Sequence, residues 1–196
     1  MGQSQSKTAL AGALIAFLVA GTAQGQVNPF SVLGKVVTTS MDARTRAEVT
    51  VDTEISAGAS KRLLDDKKSE WAGVTVLVFA HHVVLAGAVK TDAVRKRVEE
   101  IVKRDTRIRS LRNELLVGDQ ASLARDTALE AEINARLTAA KGVSSVNMRW
   151  CATGGHVVLM GVAQSQPEAG LAATTVRAVK GVKSLKSRLR VVPKKN

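Results

Sequence analysis

The chain has 196 residues and a formal net charge of +12, with 45% hydrophobic and only 3% aromatic residues. That length accommodates two small domains of ordinary size, each with a thin hydrophobic core. The lack of tyrosine and the scarcity of other aromatic residues argue against single-stranded nucleic-acid binding, which pairs positive grooves with aromatic stacking platforms. We therefore expect no nucleic-acid partner, and the charge favours another polyanion, such as anionic lipid head groups or acidic polysaccharide.

The first 25 residues have the features of an export signal. Lys7 provides the positive charge, Ala9–Gly21 is an uncharged apolar run, and Ala23–Gly25 is a small-residue cleavage site. The apolar run falls short of the roughly 20 residues that cross a bilayer. We therefore expect cleavage before Gln26, with an uncleaved N-terminal anchor as the alternative, and we assign residues 26–46 to a linker. No cysteine lies near the cleavage site, which argues against a lipoprotein.

Beyond this segment the chain contains one pattern twice, with an offset of 74 residues and no gap. The matching blocks include Asp52-Thr53 with Asp126-Thr127, His82–Leu85 with His156–Leu159, Gly87 with Gly161, and Ser110-Leu111 with Ser184-Leu185. A gapless match of this length indicates one supersecondary unit that is used twice. We therefore expect two sister domains, at residues 47–118 and 119–196.

Each repeat is predicted to run helix, strand, strand, helix, strand. The first helices are expected to begin at Asp52 and Asp126, which are good N-caps, because apolar residues then recur every four positions. The hairpin strands are predicted at Val74–Phe79, His82–Val89, Val146–Ala152 and His156–Ala163. The second helices are expected near Thr91 and Ser165, the latter ending at Gly181, and the last strands at Ser110–Val117 and Ser184–Val191. The fold class is α+β: two tandem αββαβ two-layer sandwiches, each with two helices on one face of a three-stranded mixed sheet.

Two features of the strands bear on packing. Gly87 and Gly161 lie at equivalent positions inside the second strand, which suggests the close approach of a helix or a local bend, so we interpret them as structural glycines. Strand alternation also leaves apolar side chains on the sheet faces away from the helices. These residues are Leu77, Phe79, Val84 and Ala86 in the first unit and Cys151, Val158, Met160 and Val162 in the second. Two such faces predict that the domains pack on each other or that the protein forms a homo-oligomer.

These residues resemble the BON domain family, named for bacterial osmotically inducible and nodulation proteins. The resemblance rests on the apolar stripe of the first helix, the Val-Val-Leu-x-Gly block, and the ending Gly181-Val182-x-Ser184-Leu185 with Leu189 and Val191. It covers the chain from about Asp42 to Val192. The resemblance implies an exported envelope protein, periplasmic or peripheral at the outer membrane, that is linked to osmotic stress or envelope integrity and binds phospholipid membranes.

The sequence contains no motif for catalysis, for a cofactor or for a metal, so we expect a protein that is not an enzyme. Cys151 is the only cysteine and is expected to be a buried apolar residue in a strand. His82 and His156 begin equivalent strands; they either bind a metal across a domain interface or, as we favour, are hairpin residues preserved by duplication. Trp150 is expected in the core, whereas Trp71 is either an exposed aromatic suited to a membrane interface or a lid over the first helix.

The candidate binding surface is basic. No acid follows Glu168, and the last strand places Lys186, Arg188 and Arg190 on the side away from the helices. The other candidates are Lys180 and Lys183 before the strand and Lys194 and Lys195 after it. These residues predict weak, salt-sensitive binding to an anionic phospholipid surface, with the first helix of the second unit (Arg125, Arg136, Lys141) as the next candidate. The alternative function is a periplasmic or stress-protective factor that binds other envelope proteins through sheet edges or apolar faces.

Overall fold

The computed structural model describes residues 42–66, 71–118 and 123–192. The predicted signal segment, most of the predicted linker, and Lys194 and Lys195 therefore lie outside the described residues. The first unit consists of α1 (Arg46–Asp65), β1 (Val74–Phe79), β2 (His82–Val89), α2 (Asp92–Val102), β3 (Ser110–Asn113) and β4 (Leu116–Val117). The second consists of α3 (Leu123–Ala139), a 3-10 turn (Ser145–Asn147), β5 (Met148–Thr153), β6 (His156–Ala163), α4 (Gln166–Arg177) and β7 (Ser184–Val191).

Both units have the predicted αββαβ order and the same mixed sheet. β1 pairs antiparallel with β2, and β5 pairs antiparallel with β6. Each last strand returns through a helix and pairs in parallel, so that His82 lies opposite Ser110 and His156 lies opposite Ser184. The fold is therefore α+β, with two tandem two-layer sandwiches, as the sequence predicts.

The first helix begins earlier than the sequence predicts. α1 starts at Arg46 with Thr45 as its N-cap: the Thr45 hydroxyl accepts from the backbone N–H of Glu48, and the Glu48 carboxylate accepts from the N–H of Thr45. This capping box occupies N–H groups that have no partner within the helix. Asp52 is therefore not an N-cap but lies well inside α1, and Asp126 lies in the first turn of α3. The boundary predicted between residues 46 and 47 falls inside the same helix.

The repetition of Asp52 and Asp126 has a different physical reason. The buried Asp52 carboxylate accepts from the backbone N–H groups of Ala80 and His81, at 2.8 and 2.7 Å, in the turn between β1 and β2. Asp126 accepts from the N–H of Gly154 in the equivalent turn, at 2.8 Å. Each carboxylate thus ties the first helix of its unit to the hairpin and satisfies turn amides that would otherwise lack a partner. In the first unit, the bonds also hold Ala80 and His81 at positive φ, which residues with side chains rarely adopt.

Gly87 and Gly161 are placed by backbone conformation and a close backbone contact. Their φ angles are +112° and +130°, in the left-handed region that favours glycine. A Cβ at Gly87 would overlap the carbonyl oxygen of Gly73, and a Cβ at Gly161 would overlap that of Asn147. The nearest atoms therefore belong to the backbone just before β1 and β5, rather than to a packed α-helix. Of the two sequence interpretations, the local bend fits and the approach of a helix does not.

Each sandwich has its own apolar core between its helices and its sheet. The largest buried members are Ile55, Leu63, Leu85 and Ile101 in the first unit and Ile133, Leu137, Met148 and Leu159 in the second. Trp71 is half-buried against the first core, so it covers that core as a lid. Trp150 packs on the second core, and its indole N–H donates to the carbonyl of Glu130 at 3.3 Å.

The predicted last strand of the first unit is interrupted, whereas β7 is continuous. β3 and β4 keep one register on β2, with Glu114 and Leu115 between them. The Asn113 side chain accepts from the N–H of Leu115 at 3.2 Å, and Leu115 stays buried in the first core. Since neighbouring residues of an extended chain point to opposite sides, Glu114 points towards the helix-free face.

Two further boundaries differ from the sequence prediction. β5 begins at Met148 instead of Val146, because residues 145–147 form the 3-10 turn. α4 ends at Arg177, and Gly181 lies in the following turn with a φ of +102°. The glycine therefore shapes the connection to β7 instead of ending the helix.

Candidate functional site at the interface between the domains

The helix-free faces of the two sheets pack against each other. Eight buried side chains form what we call the apolar seam: Leu77, Phe79, Val84, Ala86, Cys151, Val158, Met160 and Val162. β1 lies against β5 and β6, and β2 lies against β5. Strand alternation predicts these same residues, so the expected domain–domain packing is confirmed. The seam removes apolar surface from water and thereby couples the stabilities of two small domains.

At one edge of the seam, an acid of the first domain meets two bases of the second. Lys186 Nζ donates to Glu114 Oε2 at 2.9 Å, and Arg188 Nε donates to Glu114 Oε1 at 2.7 Å. The Glu114 side chain is 6% exposed, whereas those of Lys186 and Arg188 are 54% and 44% exposed. Burial alone raises the pKa of the Glu114 carboxyl, but hydrogen bonds and charges from Lys186 and Arg188 outweigh burial and hold that pKa below its usual range. Glu114 is therefore ionised at neutral pH and holds both cations at the interface.

The two domains meet with pseudo-two-fold symmetry. Glu114 and Arg188 contact each other and are equivalent positions under the 74-residue offset. Three further equivalent pairs lie in the apolar seam: Leu77 with Cys151, Val84 with Val158, and Ala86 with Met160. Equivalent residues that meet lie close to the axis that relates the two units. If positions 114 and 188 carried the same charge, the two side chains would repel each other at this contact. The Glu–Arg difference therefore favours pairing of the first domain with the second over pairing of either domain with a copy of itself.

A second polar cluster ties the start of the first domain to the second domain. The N–H of Ala43 donates to Asn147 Oδ1 at 2.7 Å, and Asn147 is buried. The neighbouring Arg44 bridges two carboxylates, those of Asp42 at 2.8 Å and Asp52 at 2.9 Å. All three charged side chains are almost fully buried. Residues that the sequence assigns to a linker are therefore packed, and they connect α1 to the second domain.

Phe79 is the centre of this cluster. The Arg44 guanidinium lies 4.3 Å from the Phe79 ring centroid, and the guanidinium of Arg149, from the second domain, lies 5.5 Å from it. Arg149 also donates to the carbonyls of Val146 and Met148, at 3.0 and 2.7 Å. Burial, together with the nearby charge of Arg44, lowers the pKa of Arg149 to about 10. Arg149 remains charged at neutral pH, and its cation–π contact adds to the domain interface.

The structure places the predicted lipid-binding residues in two groups. Register partners in a parallel pair share a face, so Lys186, Arg188 and Arg190 lie on the side of Val158, Met160 and Val162, which faces the first domain. The row is therefore on the predicted helix-free side, but it flanks the apolar seam. Lys186 and Arg188 bind Glu114, and Arg190 is half-buried. Lys180 and Lys183 are exposed in the connection before β7.

The repeated histidines form the same contact in both domains. His82 Nδ1 lies 2.6 Å from Ser110 Oγ, and His156 Nδ1 lies 2.7 Å from Ser184 Oγ. This cross-strand pair explains why His and Ser recur together, and it fits the interpretation as hairpin residues. Within residues 42–66, 71–118 and 123–192, no group of three or more His, Cys, Asp or Glu side chains is placed to hold a metal. Cys151 is 5% exposed, and burial raises the pKa of its thiol to about 12, so it is a poor nucleophile at neutral pH.

A cleft of about 60 Å³ lies between the domains beside Glu114, and His156 and Ser184 form part of its wall. Ligand pockets for small molecules usually measure about 300–1,000 Å³. A hydrogen-bonded serine and histidine also occur in nucleophilic catalysis, where a third group orients the histidine. Here Glu114 is bonded to Lys186 and Arg188 instead. The cleft therefore offers little for catalysis.

In the part of the chain that the structure describes, no helix is long and apolar enough to cross a membrane.

Three residues at or beside the domain interface are not predicted from the sequence: Glu114, Arg44 and Asn147. For Glu114 a signal exists, because the internal alignment puts it at the position of Arg188, and opposite charges at equivalent positions suit a pseudo-two-fold contact. For Asn147 the sequence offers no comparable signal, since its partner is the backbone of Ala43 across the domain boundary. The same holds for Arg44, whose partners Asp42 and Asp52 show no repeating pattern with it.

The comparisons with known proteins agree with this architecture. The BON domain profile matches residues 51–119 and 125–193. Osmotically-inducible protein Y of Escherichia coli (strain K12) is 29% identical over 193 residues, which cover 94% of this chain and 95% of that protein. An uncharacterized protein in the gshII 5'region of Anaplasma centrale is 35% identical over 125 residues, which cover 62% of this chain and 83% of that protein.

Among solved structures, CdsD, a structural protein of the type III secretion system of Chlamydia trachomatis, is 14% identical with a TM-score of 0.32. That match covers 70% of this chain and 63% of the CdsD chain, which is less than two thirds of it. So distant a likeness supports no functional inference. The two profile matches, by contrast, coincide with the two αββαβ units and span most of the chain. The chain therefore belongs to the BON domain family and carries two BON domains in tandem.

Proposed function

We propose that this protein is an exported, non-catalytic envelope protein that binds anionic phospholipid reversibly and supports the envelope under osmotic stress. Membership of the BON domain family supports an envelope role, and similarity to osmotically-inducible protein Y over nearly the whole of both chains supports the link to osmotic stress. The export signal predicted from residues 1–25 favours the periplasm, with peripheral contact at the outer membrane.

The observation that carries the lipid proposal is an excess of positive charge at the end of the second domain. Lys180, Lys183, Lys186, Arg188 and Arg190 occur within 11 residues. In the described part of the chain, the acid that pairs with members of this group is Glu114, which offsets one of five charges. Each basic residue near an anionic bilayer contributes about 1 kcal/mol of attraction. Four uncompensated charges therefore suit weak binding that salt weakens further.

The residues most available to lipid phosphate are Lys180 and Lys183, because both are exposed and lie away from the Glu114 contact. Reversing Lys186 and Arg188 would also break the domain interface, so the sharper test is the double variant Lys180→Glu/Lys183→Glu. We expect it to weaken co-sedimentation with phosphatidylglycerol vesicles at low salt by about tenfold or more, by the same charge arithmetic.

The matched control is Lys103→Glu/Arg104→Glu, which makes the same charge change at exposed residues after α2 of the first domain. Near-normal binding by this control supports a surface on the second domain. Equal losses in both double variants would show that only net charge matters, and wild-type binding by Lys180→Glu/Lys183→Glu would contradict the proposal. Both variants should keep the wild-type circular dichroism spectrum.

The alternative is a periplasmic or stress-protective factor that binds other proteins. The apolar sheet faces that would serve such binding are buried in the apolar seam, which leaves the sheet edges as the route. Absence of wild-type binding to anionic vesicles at low salt would favour this alternative.

A further inference from the structure

The two edges of the apolar seam that the pseudo-two-fold axis relates differ in charge. At one edge, the cleft beside His156 contains Leu116 and Glu114 of the first domain. The equivalent of His156 is His82, and the equivalent of Leu116 is Arg190. Arg190 lies near enough to His82 for its charge to act on the imidazole. The edge beside His156 thus has the apolar Leu116 where the edge beside His82 has the cation Arg190. We call the edge beside His82 the cationic edge.

Three basic residues from three parts of the chain lie near one another at the cationic edge. The backbone N–H of Arg109 donates to the carbonyl of His81 at 2.9 Å, which places Arg109 beside the β1–β2 turn. His82 is fixed by its bond to Ser110. Arg190 enters from the other domain, opposite Val162 at the end of the seam. Burial lowers the pKa of His82, and the charges of Arg190 and Arg109 lower it further.

The acids nearest to these groups are already engaged. Asp52 binds Arg44 and the turn amides, and Glu48 binds the N-cap Thr45. In the described residues, neither Arg109 nor Arg190 lies within ion-pair distance of a carboxylate. Burial lowers the pKa of the half-buried Arg190, as does the charge of Arg109. Two guanidinium groups and an imidazole therefore share a site without a counter-ion of their own.

We propose that Arg109, Arg190 and His82 bind a phosphate group at the cationic edge. Guanidinium groups present paired N–H donors that match phosphate oxygens, and a protonated imidazole adds a further charged donor. Because Arg109 and Arg190 belong to different domains, the site is complete only while the domains are packed. Phosphate binding therefore stabilises the packed arrangement. The phosphate can belong to a lipid head group or to a soluble compound, so the site does not depend on the proposed lipid function.

The full-length protein carries an internal control for the test. His82 and His156 occupy equivalent positions and make the same bond to serine, so their imidazole NMR signals can be compared within one sample. Inorganic phosphate and then glycerol phosphate are titrated at constant ionic strength. We expect saturable shifts of His82 and a rise in its pKa, because a bound anion stabilises the imidazolium, with no comparable response at His156. Binding should tighten as the pH falls through the pKa of His82.

The groups that face His82 in this titration are the cations Arg109 and Arg190, the neighbouring His81, and the acids Asp52 and Glu48. Signals are assigned with a His81→Gln variant, which removes the adjacent imidazole. The hydrogen bond from the Thr45 backbone holds the pKa of Glu48 below its usual range, so Glu48 stays charged while His82 titrates.

Arg190→Gln should weaken phosphate binding by about tenfold, which corresponds to one charge-assisted contact. Arg190→Leu, which introduces the residue type found at the equivalent position, should have the same effect and guards against a misfolded variant. Lys183→Gln, at the position equivalent to Arg109, should leave the His82 response unchanged. Equal shifts of His82 and His156, or an unchanged response in both Arg190 variants, would overturn the proposal.

A second arm uses phosphatidylglycerol nanodiscs to identify the source of the phosphate. A His82 response to nanodiscs but not to soluble phosphate supports the site with a lipid head group as its ligand. A response to soluble phosphate without any nanodisc binding supports the site and contradicts the proposed lipid function. Nanodisc binding without a His82 response contradicts the site and leaves the lipid function standing.

Discussion

Replacing Glu114 by glutamine tests whether its ion pairs hold the domains together. The buried carboxylate accepts two charge-assisted hydrogen bonds, at 2.9 and 2.7 Å, and such bonds contribute about 1.5–3 kcal/mol each. Lys186 and Arg188 are about half exposed, so solvent screening reduces this contribution. We expect Glu114→Gln to lower the free energy of unfolding by about 1–2 kcal/mol in total.

The pH dependence of this difference follows from the lowered pKa of Glu114 in the folded protein. A carboxyl with a depressed folded pKa contributes stability that is fully present above its unfolded pKa, about 4.3 for glutamate. The contribution is lost as the pH falls through the folded pKa. Urea unfolding of wild type and Glu114→Gln should therefore differ at pH 7 and converge well below pH 4.

Exchanging the two charges is a stricter test of the same contact. Glu114→Arg alone should destabilise by about 2–4 kcal/mol, because three cations then meet at a buried position. Adding Arg188→Glu should recover at least about 1 kcal/mol of that loss. Glu132→Gln, in the exposed Glu132–Arg136 pair, is the control and should stay within about 0.5 kcal/mol of wild type. Strict additivity of the two single variants would refute the reasoning, because it would show that positions 114 and 188 do not interact.

Three further predictions concern the folding of the domains and the closure of the apolar seam between them. Gly87→Ala and Gly161→Ala should each lower the free energy of unfolding by about 2 kcal/mol or more, because both residues have positive φ and a Cβ would meet backbone. The control is Gly170→Ala, at an open position in a helix, which should be neutral or stabilising. Thermal melts compare the three variants. Cys151 should react with a thiol reagent at pH 8 only after unfolding, and rapid reaction of the native protein would show that the apolar seam is open. Asp52→Ala should destabilise by about 2–3 kcal/mol in chemical denaturation, since it leaves two turn amides and one guanidinium nitrogen of the buried Arg44 without an acceptor. A cost below about 0.5 kcal/mol would contradict the role of Asp52 in tying the helix to the turn.

The sequence predicts those features of the fold that depend on local pattern. The duplication, the αββαβ order and the apolar seam all follow from residue alternation and spacing, which Val84 and Val158 illustrate at equivalent positions. The buried state of Cys151 follows in the same way from its place in a strand. Strand alternation also puts Lys186 and Arg188 on the correct side of the sheet.

The remaining features depend on contacts between distant residues. Asp52 has the sequence signature of an N-cap, but the capping box at Thr45 begins the helix earlier, and the carboxylate of Asp52 binds a turn 28 residues away. Gly87 has a positive φ and lies against the backbone of Gly73, a contact that no local pattern reveals. The partner of Lys186 is on the other domain, so the basic row looks like an open surface until the domains are placed together.

The packing of the two BON domains through their helix-free faces is the basis of the ion-pair site and of the cationic edge. Measurement of 15N relaxation and residual dipolar couplings across both domains tests it most directly. We expect one rotational correlation time for the two sandwiches and a single alignment tensor that fits the couplings of residues 42–66, 71–118 and 123–192 together. Separate tensors, or a shorter correlation time for each domain, would contradict this account, because they would mean that the apolar seam does not hold the domains together in solution.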